Sequence, residues 1–345
     1  MASAPIVFKD VSAALPAFLS TGSYTRIAVL VDENTEEHCY PKISNVLPRH
    51  DVLKILSGEA NKNLEGCKSI WTQLTELKYD RNSLLVNLGG GVIGDMGGFC
   101  AATFKRGIDF INIPTTLLAQ VDASIGGKLG IDFEDYKNHI GVFQSPQSVI
   151  IDASLLGTLS ERQIRSGFAE VIKHTLIADA SAWADLSKKN FRRLDWNNLV
   201  PDSVEIKNRI VAQDPTEKGL RKILNFGHTI GHAIETHFLS KQGDLLHGEA
   251  IAAGMIAEAW LSNLKTGLSN TALDEIYTFL IRTYGKIAFS QVEFQQIVDL
   301  TSQDKKNVGA EPRLVLLEEI GRATYDVPVQ AQEIRSALEF YLSAG

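Results

Sequence analysis

Short apolar runs alternate with stretches of helical periodicity through the first half of the chain. The apolar runs are rich in β-branched residues and lie at residues 26–31, 52–56, 83–88, 109–113 and 148–151. Between them, periodic apolar positions predict helices, for example over residues 63–77 and 93–105. Strands that are apolar throughout are typical of a sheet buried on both faces, and their alternation with helices predicts crossover connections. The pattern therefore predicts an α/β domain built on a mostly parallel sheet.

The second half of the chain has a mainly helical pattern. Helical periodicity covers residues 160–177, 203–213, 222–239, 248–264 and 271–283. One strand-like exception lies at residues 313–317, and we expect it to pair with residues 321–325 in a small hairpin. No stretch with the composition of a flexible linker separates the two halves. We therefore expect two packed domains, residues 1–158 and 159–345, with a cleft between them where ligands usually bind.

Composition and charge narrow the class of protein. The chain has 345 residues, and 34 basic against 41 acidic residues give a net charge of −7. This acidic balance argues against nucleic acid or an anionic membrane as the main partner. The cysteines are Cys39, Cys67 and Cys100, an odd number without a C-x-x-C pair, which is typical of a reducing compartment. We find no signal peptide and no apolar run of about 18 residues, the minimum for a membrane span, and so expect a cytoplasmic protein.

Four glycines follow the strand predicted at residues 83–88. Gly89, Gly91 and Gly94 fit the spacing G-x-G-x-x-G, and Gly90 lies between them. A tight glycine turn from a strand into a helix exposes backbone N–H groups at the helix N-terminus, where a pyrophosphate can bind. The alternative is a glycine turn that only lets the helix pack close to its strand.

An acidic residue, Asp32, ends the strand predicted at residues 26–31 and is followed by Asn34. A carboxylate at the end of such a strand can bind ribose hydroxyls. Here it precedes the glycine turn, so the order differs from the usual dinucleotide-binding fingerprint. A turn residue or a helix cap is the alternative interpretation of Asp32.

Three histidines of the second half have a spacing that suits a metal ion. His228 and His232 are four residues apart, so a helix places them on one face, and His247 opens a further helical segment. With a carboxylate from Glu170 or Glu249, these imidazoles predict a site for zinc or a similar divalent ion. Packed or surface histidines are the alternative.

Basic and amide side chains occur in segments that otherwise look buried. Lys173 follows Glu170 by three residues, which on a helix points both side chains the same way. Together these residues predict a pocket for phosphate and carboxylate groups, whereas each alone would be a solvated surface charge. The set is Lys173, Lys207, Arg221 and Asn225 in the second half and Arg106, Lys128, Lys137 and Asn138 in the first.

The sequence resembles 3-dehydroquinate synthase in a series of motifs that stand in the family's order. They include GGGVIGDMGGF, PTTLLAQVDASIGGK, SGFAEVIKH, LNFGHTIGHAIE, HGEAIAAGM and DKKNVG, and the likeness extends from about Asp32 to Arg322. The resemblance implies a Rossmann-like nucleotide-binding α/β domain followed by a mainly α-helical metal- and substrate-binding domain. It also implies NAD and one divalent metal ion, zinc or cobalt, as cofactors, and a homodimer as the assembly.

The reaction that the resemblance implies is the second step of the shikimate pathway. The family converts 3-deoxy-D-arabino-heptulosonate 7-phosphate, a small sugar phosphate, into 3-dehydroquinate and phosphate. Its expected course is transient oxidation by NAD, β-elimination of phosphate, return of the hydride and an intramolecular aldol closure. This is the chemistry of a phosphate-eliminating carbon–oxygen lyase.

The resemblance also implies roles for individual residues. The metal ligands become Glu170, His228 and His247, while His232 becomes an acid/base group on the substrate side. The catalytic residues are Lys173, His232, Lys207, Arg221, Asn225 and Asp122. The substrate is further bound by Lys128, Asn138, one of Lys305 or Lys306, and Arg106, which comes from the partner subunit. NAD is bound by Asp32, Asn34, Glu59, Lys62, Gly90, Gly91, Asp95, Thr115, Thr116, Asp122, Lys137 and Thr158.

Four residues depart from the family's usual pattern without touching these positions. They are Ser57, Asp132, Tyr136 and Pro215. Asp132 and Tyr136 precede the Lys137–Asn138 pair, so these two departures bear on the shape of the loop around that pair.

Three other functions remain open at this point. A related cyclase acting on sedoheptulose 7-phosphate would lack the residues that bind a substrate carboxylate. An NAD- and metal-dependent polyol dehydrogenase would need no phosphate-binding cations and would release NADH. A catalytically inactive NAD-binding protein would have lost a metal ligand, and Glu170, His228 and His247 are all present.

Overall fold

A computed structural model describes residues 4–134, 136–240, 245–301 and 312–343. The chain divides into two compact units. The first contains the residues up to Ile164 together with Trp196–Val204, and the second contains Arg165–Asp195 and the residues from Glu205 onward. None of the helices in the described ranges combines the length and the apolar character that a membrane crossing needs.

The first unit is built on a six-stranded sheet in the order β1-β8-β5-β4-β2-β3, and every pairing in it is parallel. The strands of this unit are β1 (Ile6–Phe8), β2 (Ile27–Val31), β3 (Asp51–Lys54), β4 (Leu84–Gly89), β5 (Asp109–Pro114), β6 (Lys128–Phe133), β7 (Tyr136–Phe143) and β8 (Ser148–Ile151). The predicted parallel α/β sheet is confirmed. Its central strands β2 and β4 are buried along their whole length, as their apolar runs predict.

Helices cover both faces of this sheet, and three of the four begin at polar capping side chains. They are α1 (Val11–Leu19), α2 (Glu33–His38), α3 (Leu64–Glu76) and α4 (Gly91–Thr103). Side-chain oxygens of Asp10, Asp32 and Asn63 accept backbone N–H groups in the first turns of α1, α2 and α3. One core cluster includes Leu15 of α1, and a second, on the other face, includes Ile70 of α3 and Met96 of α4.

The strands β6 and β7 form an antiparallel hairpin outside the main sheet. The sequence pattern did not predict this hairpin, because glycines interrupt its apolar positions and no continuous apolar run results. Gly130 pairs with Gly141 in its middle. Leu129 of β6 packs so close to α4 that a Cβ atom on Gly98 would lie 2.5 Å from its side chain.

The second unit is mainly helical, as predicted. Its helices are the part of α5 (Glu161–Ala178) from Arg165 onward, α6 (Ala180–Leu186), the part of α7 (Trp196–Gln213) from Glu205 onward, α8 (His228–Ser240), α9 (His247–Lys265), α10 (Asn270–Tyr284), α11 (Gln291–Thr301) and α12 (Ala331–Ser343). The hairpin predicted near its end is confirmed as the antiparallel pair β9 (Arg313–Glu319) and β10 (Arg322–Pro328).

The continuous helix predicted over residues 222–239 is wrong. A 3₁₀ helix covers Leu220–Asn225, and α8 begins only at His228. Between them, Gly227 has a φ of +78°, a left-handed value that favours glycine and ends the first segment. Apolar positions continue through this break, so the sequence pattern did not reveal the interruption.

Candidate active site

Glu170 and two histidines converge in the second unit. Glu170 lies fully buried in the middle of α5, whereas His228 and His247 are the first residues of α8 and α9. Oε1 of Glu170 lies 3.4 Å from Nε2 of His228 and 3.7 Å from Nε2 of His247. Two imidazole nitrogens and a carboxylate oxygen therefore face one another from three helices.

The other ring nitrogen of each histidine has a separate partner. Nδ1 of His228 lies 3.0 Å from the carbonyl oxygen of Phe226, and Nδ1 of His247 lies 3.2 Å from Oε2 of Glu235. Each Nδ1 is thus placed to donate a hydrogen bond, which leaves the lone pair of Nε2 on the side of Glu170. One carboxylate oxygen and two neutral imidazole nitrogens are a donor set that fits zinc or a similar divalent ion.

Two further residues were candidates for this ligand set. His232 follows His228 by one turn of α8, and ligand atoms of His228, His232 and His247 lie within 4.8 Å of one another. Glu249 instead uses its carboxylate to accept the N–H of Leu246 at 2.9 Å, at the start of α9. The contact of Glu249 with the Leu246 N–H favours Glu170 as the carboxylate, and His232 lies close enough to His228 and His247 to share a metal ion with them.

The pKa values of the two imidazoles move in opposite directions. Burial and the nearby ammonium of Lys173 lower the pKa of His228 well below its usual value. Burial also disfavours a charge on His247, but hydrogen bonds with Glu170 and Glu235 outweigh it and raise the pKa of His247 to about 10. These directions hold for the protein alone, in which the carboxylates on both sides of His247 favour its charged form. A metal ion at Nε2 would displace the proton on that nitrogen.

Lys173 and Glu170 face the same way from α5, as their spacing predicts. The Nζ atom of Lys173 contacts Oε2 of Glu170, and both side chains are buried. The carboxylate therefore has an ammonium on one oxygen and the two imidazoles near the other. This arrangement balances the buried negative charge.

Arg221 and Asn225 lie in the 3₁₀ helix that precedes α8, and Lys207 is buried on α7. The guanidinium of Arg221 donates to the carbonyl oxygen of Pro215 at 2.6 Å, and the amide of Asn225 donates to Oε1 of Glu217 at 2.9 Å. Pro215, one of the departures from the family pattern, uses its backbone here, so its unusual side chain does not remove the contact. Glu217 is a residue that the sequence analysis missed.

The glycine turn of the first unit lies where the sequence places it, between β4 and α4. Gly90 precedes the first turn of α4 and has an extended backbone with φ of −73°. Any residue can adopt this backbone conformation, so glycine is needed here for space. A Cβ atom on Gly90 would lie 3.1 Å from Thr116, and one on Gly89 would lie 2.3 Å from Ile93. Free backbone N–H groups in the first turn of a helix can bind an anion such as pyrophosphate.

Other residues expected to bind NAD follow the carboxyl ends of the neighbouring strands. Asp32 and Asn34 follow β2, and Thr115 and Thr116 follow β5. Oδ1 of Asp32 accepts the backbone N–H of Thr35 at 2.8 Å, so the helix-cap interpretation of Asp32 is confirmed. This hydrogen bond engages Oδ1 of Asp32, and binding of ribose hydroxyls by the carboxylate stays a prediction.

A polar cluster in the first unit centres on Lys62, whose side chain is buried. Its Nζ atom lies 2.5 Å from Oδ2 of Asp95 and 2.7 Å from Oδ1 of Asn138. Asp132, a departure from the family pattern, accepts the backbone N–H of Asn138 at 2.7 Å, and Asn138 has a left-handed φ of +51°. The carboxylate of Asp132 thus holds the backbone of Asn138 in place.

The remaining predicted residues of the first unit lie on separate elements. Glu59 lies next to Lys137, with Oε1 and Nζ 3.9 Å apart. Asp122 belongs to a π-helical turn, and Thr158 ends a 3₁₀ helix. Lys128 and Arg106 are exposed, and Arg106 has a φ of +70°. Lys305 and Lys306 lie outside the described residues.

Two buried carboxylates near the histidines were not singled out from the sequence. Glu235 contacts His247, and Glu258 of α9 accepts the N–H groups of Gly227 at 2.6 Å and Ile230 at 3.3 Å. A signal for Glu235 existed, because it follows His228 by two helical turns and His232 by one, so the three share a face. Glu258 caps the start of α8 from another helix, which sequence spacing alone does not reveal.

Comparison with known proteins covers both halves of the chain. Residues 52–166 match the sequence model of the 3-dehydroquinate synthase N-terminal domain, and residues 167–307 match that of the C-terminal domain. A 3-dehydroquinate synthase of Parabacteroides distasonis is 42% identical over an alignment of 343 residues, and the match covers 97% of each protein.

Solved structures share the fold at lower identity. A 2-epi-5-epi-valiolone synthase from Streptomyces hygroscopicus subsp. jinggangensis, with NAD+ and Zn2+ bound, has a TM-score of 0.89 at 23% identity and covers 100% of this chain and 98% of its own. A 2-deoxy-scyllo-inosose synthase, in complex with carbaglucose-6-phosphate, NAD+ and Co2+, has a TM-score of 0.82 at 24% identity, covering 96% and 95%. With both domain models matched and a relative 42% identical over nearly its whole length, the chain belongs to the 3-dehydroquinate synthase family.

Proposed function

We propose that this protein converts 3-deoxy-D-arabino-heptulosonate 7-phosphate into 3-dehydroquinate and inorganic phosphate, as a phosphate-eliminating carbon–oxygen lyase. Membership of the family supports the proposal. The observation that carries it is the convergence of Glu170, His228 and His247, which provides a metal-binding donor set within the second unit.

The proposed cofactors are NAD and one divalent metal ion, zinc or cobalt. Glu170, His228 and His247 would hold the metal, and the glycine turn at Gly90 and Gly91 would receive the pyrophosphate of NAD. When bound, NAD supplies a temporary hydride acceptor and the metal supplies Lewis-acid polarisation of the substrate oxygens. The fold neighbours that bind NAD+ with Zn2+ or Co2+ are consistent with this pair of cofactors.

The basic residues of the second unit are suited to an anionic substrate. We assign Lys173, Lys207, Arg221 and Asn225, together with one of Lys305 or Lys306, to binding its carboxylate and phosphate groups. Lys207 and Arg221 are buried, so a substrate anion would interact with them where water screens the attraction little. Their main contribution is to hold one reactive conformation and to stabilise the charge that develops as phosphate leaves.

His232 is the proposed acid/base residue on the substrate side. Its ring lies 5.0 Å from that of His228 and 5.7 Å from that of His247, measured between ring centres. An imidazole at this distance can move a proton to or from a substrate oxygen beside the metal, directly or through one water molecule.

The first unit supplies the proposed nucleotide site and part of the substrate site. NAD would contact Asp32, Asn34, Glu59, Lys62, Asp95, Thr115, Thr116, Asp122, Lys137 and Thr158 in addition to the two glycines. Lys128 and Asn138 would contact the substrate, and Asp122 would lie near the nicotinamide. We further propose that the protein is a homodimer in which Arg106 reaches the substrate phosphate of the partner subunit.

The decisive measurement is release of inorganic phosphate from the heptulosonate phosphate. We expect release to require NAD in amounts far below the substrate, because the hydride is returned, and to stop when a chelator removes the metal. His247→Ala should abolish metal-dependent release, whereas His38→Ala, on the exposed end of α2, should leave the rate unchanged. Phosphate release by the His247 variant near the unmutated rate would contradict the ligand assignment.

The same assay separates the alternatives. Accumulation of one NADH per substrate, followed by its near-ultraviolet absorbance, would indicate a polyol dehydrogenase. Faster phosphate release from sedoheptulose 7-phosphate than from the heptulosonate phosphate would indicate the related cyclase. Absence of any turnover with metal and NAD present would leave only a binding function.

A further inference from the structure

Glu235 lies on the far side of His247 from Glu170. It belongs to α8 and is buried, and its Oε2 atom is 3.2 Å from Nδ1 of His247. Glu170 approaches the opposite nitrogen, Nε2, at 3.7 Å. The imidazole of His247 is therefore held between two carboxylates, of which only Glu170 lies on the side where the other ligand atoms converge.

We propose that Glu235 is a positioning residue for the metal site, acting through His247 without binding the metal itself. The inference rests on the proposed function, because it takes His247 as a metal ligand. A carboxylate that accepts the Nδ1 proton fixes which nitrogen carries the hydrogen and keeps the Nε2 lone pair available. It also makes that lone pair more basic and so strengthens its bond to a cation.

The two histidine ligands depend on side chains to different degrees. His228 has its Nδ1 atom 3.0 Å from the carbonyl oxygen of Phe226, two residues away in the chain, so the backbone orients its ring. His247 opens α9, and the Nδ1 contact found for it comes from the side chain of Glu235 on α8. Glu235 thus couples the two helices that carry the imidazoles, and its loss should affect His247 more than His228.

The affinity of the purified full-length protein for zinc tests this role. It is measured by competition with a chromophoric chelator. The isosteric variant Glu235→Gln keeps the volume but removes the charge, and we expect zinc binding about 10- to 100-fold weaker than in the unmutated protein. Glu293→Gln is the matched control. Glu293 lies 3.3 Å from Nε2 of His237, a histidine that is also on α8 but outside the cluster. This control should bind zinc with unchanged affinity.

Failure of the inference can be distinguished from failure of the ligand set. If His247→Ala binds zinc as tightly as the unmutated protein, the proposed ligands are wrong and the inference falls with them. If His247→Ala loses zinc but Glu235→Gln binds it with unchanged affinity, Glu235 has no positioning role and only the inference is overturned.

A second measurement covers the case in which the Glu235 variant does not fold. In the unmutated, zinc-loaded protein labelled with ¹⁵N-histidine, we expect His247 to carry its proton on Nδ1 in a long-range ¹H–¹⁵N spectrum. A proton on Nε2, with the metal on Nδ1, would overturn the proposal without any variant.

Discussion

Buried charges in both units are arranged as close pairs of opposite sign. In the first unit the ammonium of Lys62 lies 2.5 Å from Asp95, and in the second Lys173 contacts Glu170. Burial opposes the charge on Lys62, but Asp95 and Glu59 outweigh it and raise the pKa of Lys62. Removing one member of such a pair is costly because the other is left as an uncompensated buried charge.

Replacing Lys62 should therefore destabilise the protein. We expect Lys62→Met to lower the free energy of unfolding by about 3 kcal/mol, because Asp95 loses its counter-charge and Asn138 loses a donor. The measurement is the midpoint of denaturation in urea, followed by circular dichroism.

Two companion variants locate the cause of that loss. Lys68→Met removes an exposed pair with Glu65 on α3, where N and O are 3.4 Å apart, and should leave the midpoint unchanged. Adding Asp95→Asn to Lys62→Met should restore part of the stability. A double variant less stable than Lys62→Met alone would show that the unpaired Asp95 carboxylate is not the cause.

Glycines bring the three helices of the histidine cluster close together. A Cβ atom on Gly254 of α9 would lie 2.0 Å from the carbonyl oxygen of Gly227 and 2.6 Å from the N atom of Gly231 on α8. At the start of α9, a Cβ atom on Gly248 would lie 1.9 Å from the carbonyl oxygen of Ser166 on α5. These close backbone contacts allow the side chains of Glu170, His228 and His247 to meet.

Adding one methyl group at this crossing should disturb both packing and the site. We expect Gly254→Ala to lower the free energy of unfolding by about 1–3 kcal/mol, because the backbone of α8 has to move away. Since His228 and His247 open these two helices, the same shift should weaken zinc binding. Gly157→Ala is the control, because no atom lies within 4 Å of its added Cβ. Unchanged stability and zinc affinity in Gly254→Ala would contradict this account of the helix contact.

Elements with a strong local pattern could be predicted from the sequence, and elements that depend on distant partners could not. The buried runs of β2 and β4 and the shared face of His228 and His232 follow directly from periodicity. The β6–β7 hairpin has no apolar run and is fixed by packing of Leu129 against Gly98. The break before α8 depends on Gly227 and on the carboxylate of Glu258, which lies 31 residues further along the chain.

The candidate site shows the same division. Spacing alone suggested the three histidines with Glu170 or Glu249, and the contact of Glu249 with the Leu246 N–H favours Glu170. Spacing places Glu235 on the face of α8 that carries His228 and His232, but it does not show that Glu235 reaches Nδ1 of His247, which opens another helix. Sequence reasoning therefore identified donors more readily than the groups that orient them.

The proposed homodimer gives Arg106 a role that a single chain cannot fulfil. Arg106 is exposed in the first unit with a left-handed backbone, and the proposal takes its guanidinium to the site of the partner subunit. Arg106→Ala and His247→Ala should each be inactive as homodimers. In a heterodimer of the two variants, one site then has both defects and the other has none.

Co-expression of the two variants with different affinity tags allows the heterodimer to be purified. We expect it to release phosphate at about half the unmutated rate, because one of the two sites in a two-fold dimer is complete. A heterodimer of His247→Ala with Glu170→Ala is the control and should stay inactive, since both substitutions affect metal ligands of the same unit. If Arg106 acts within its own subunit, each site of the test heterodimer carries one defect and no activity returns. Recovery in the test pair alone is therefore the result that places Arg106 across the interface.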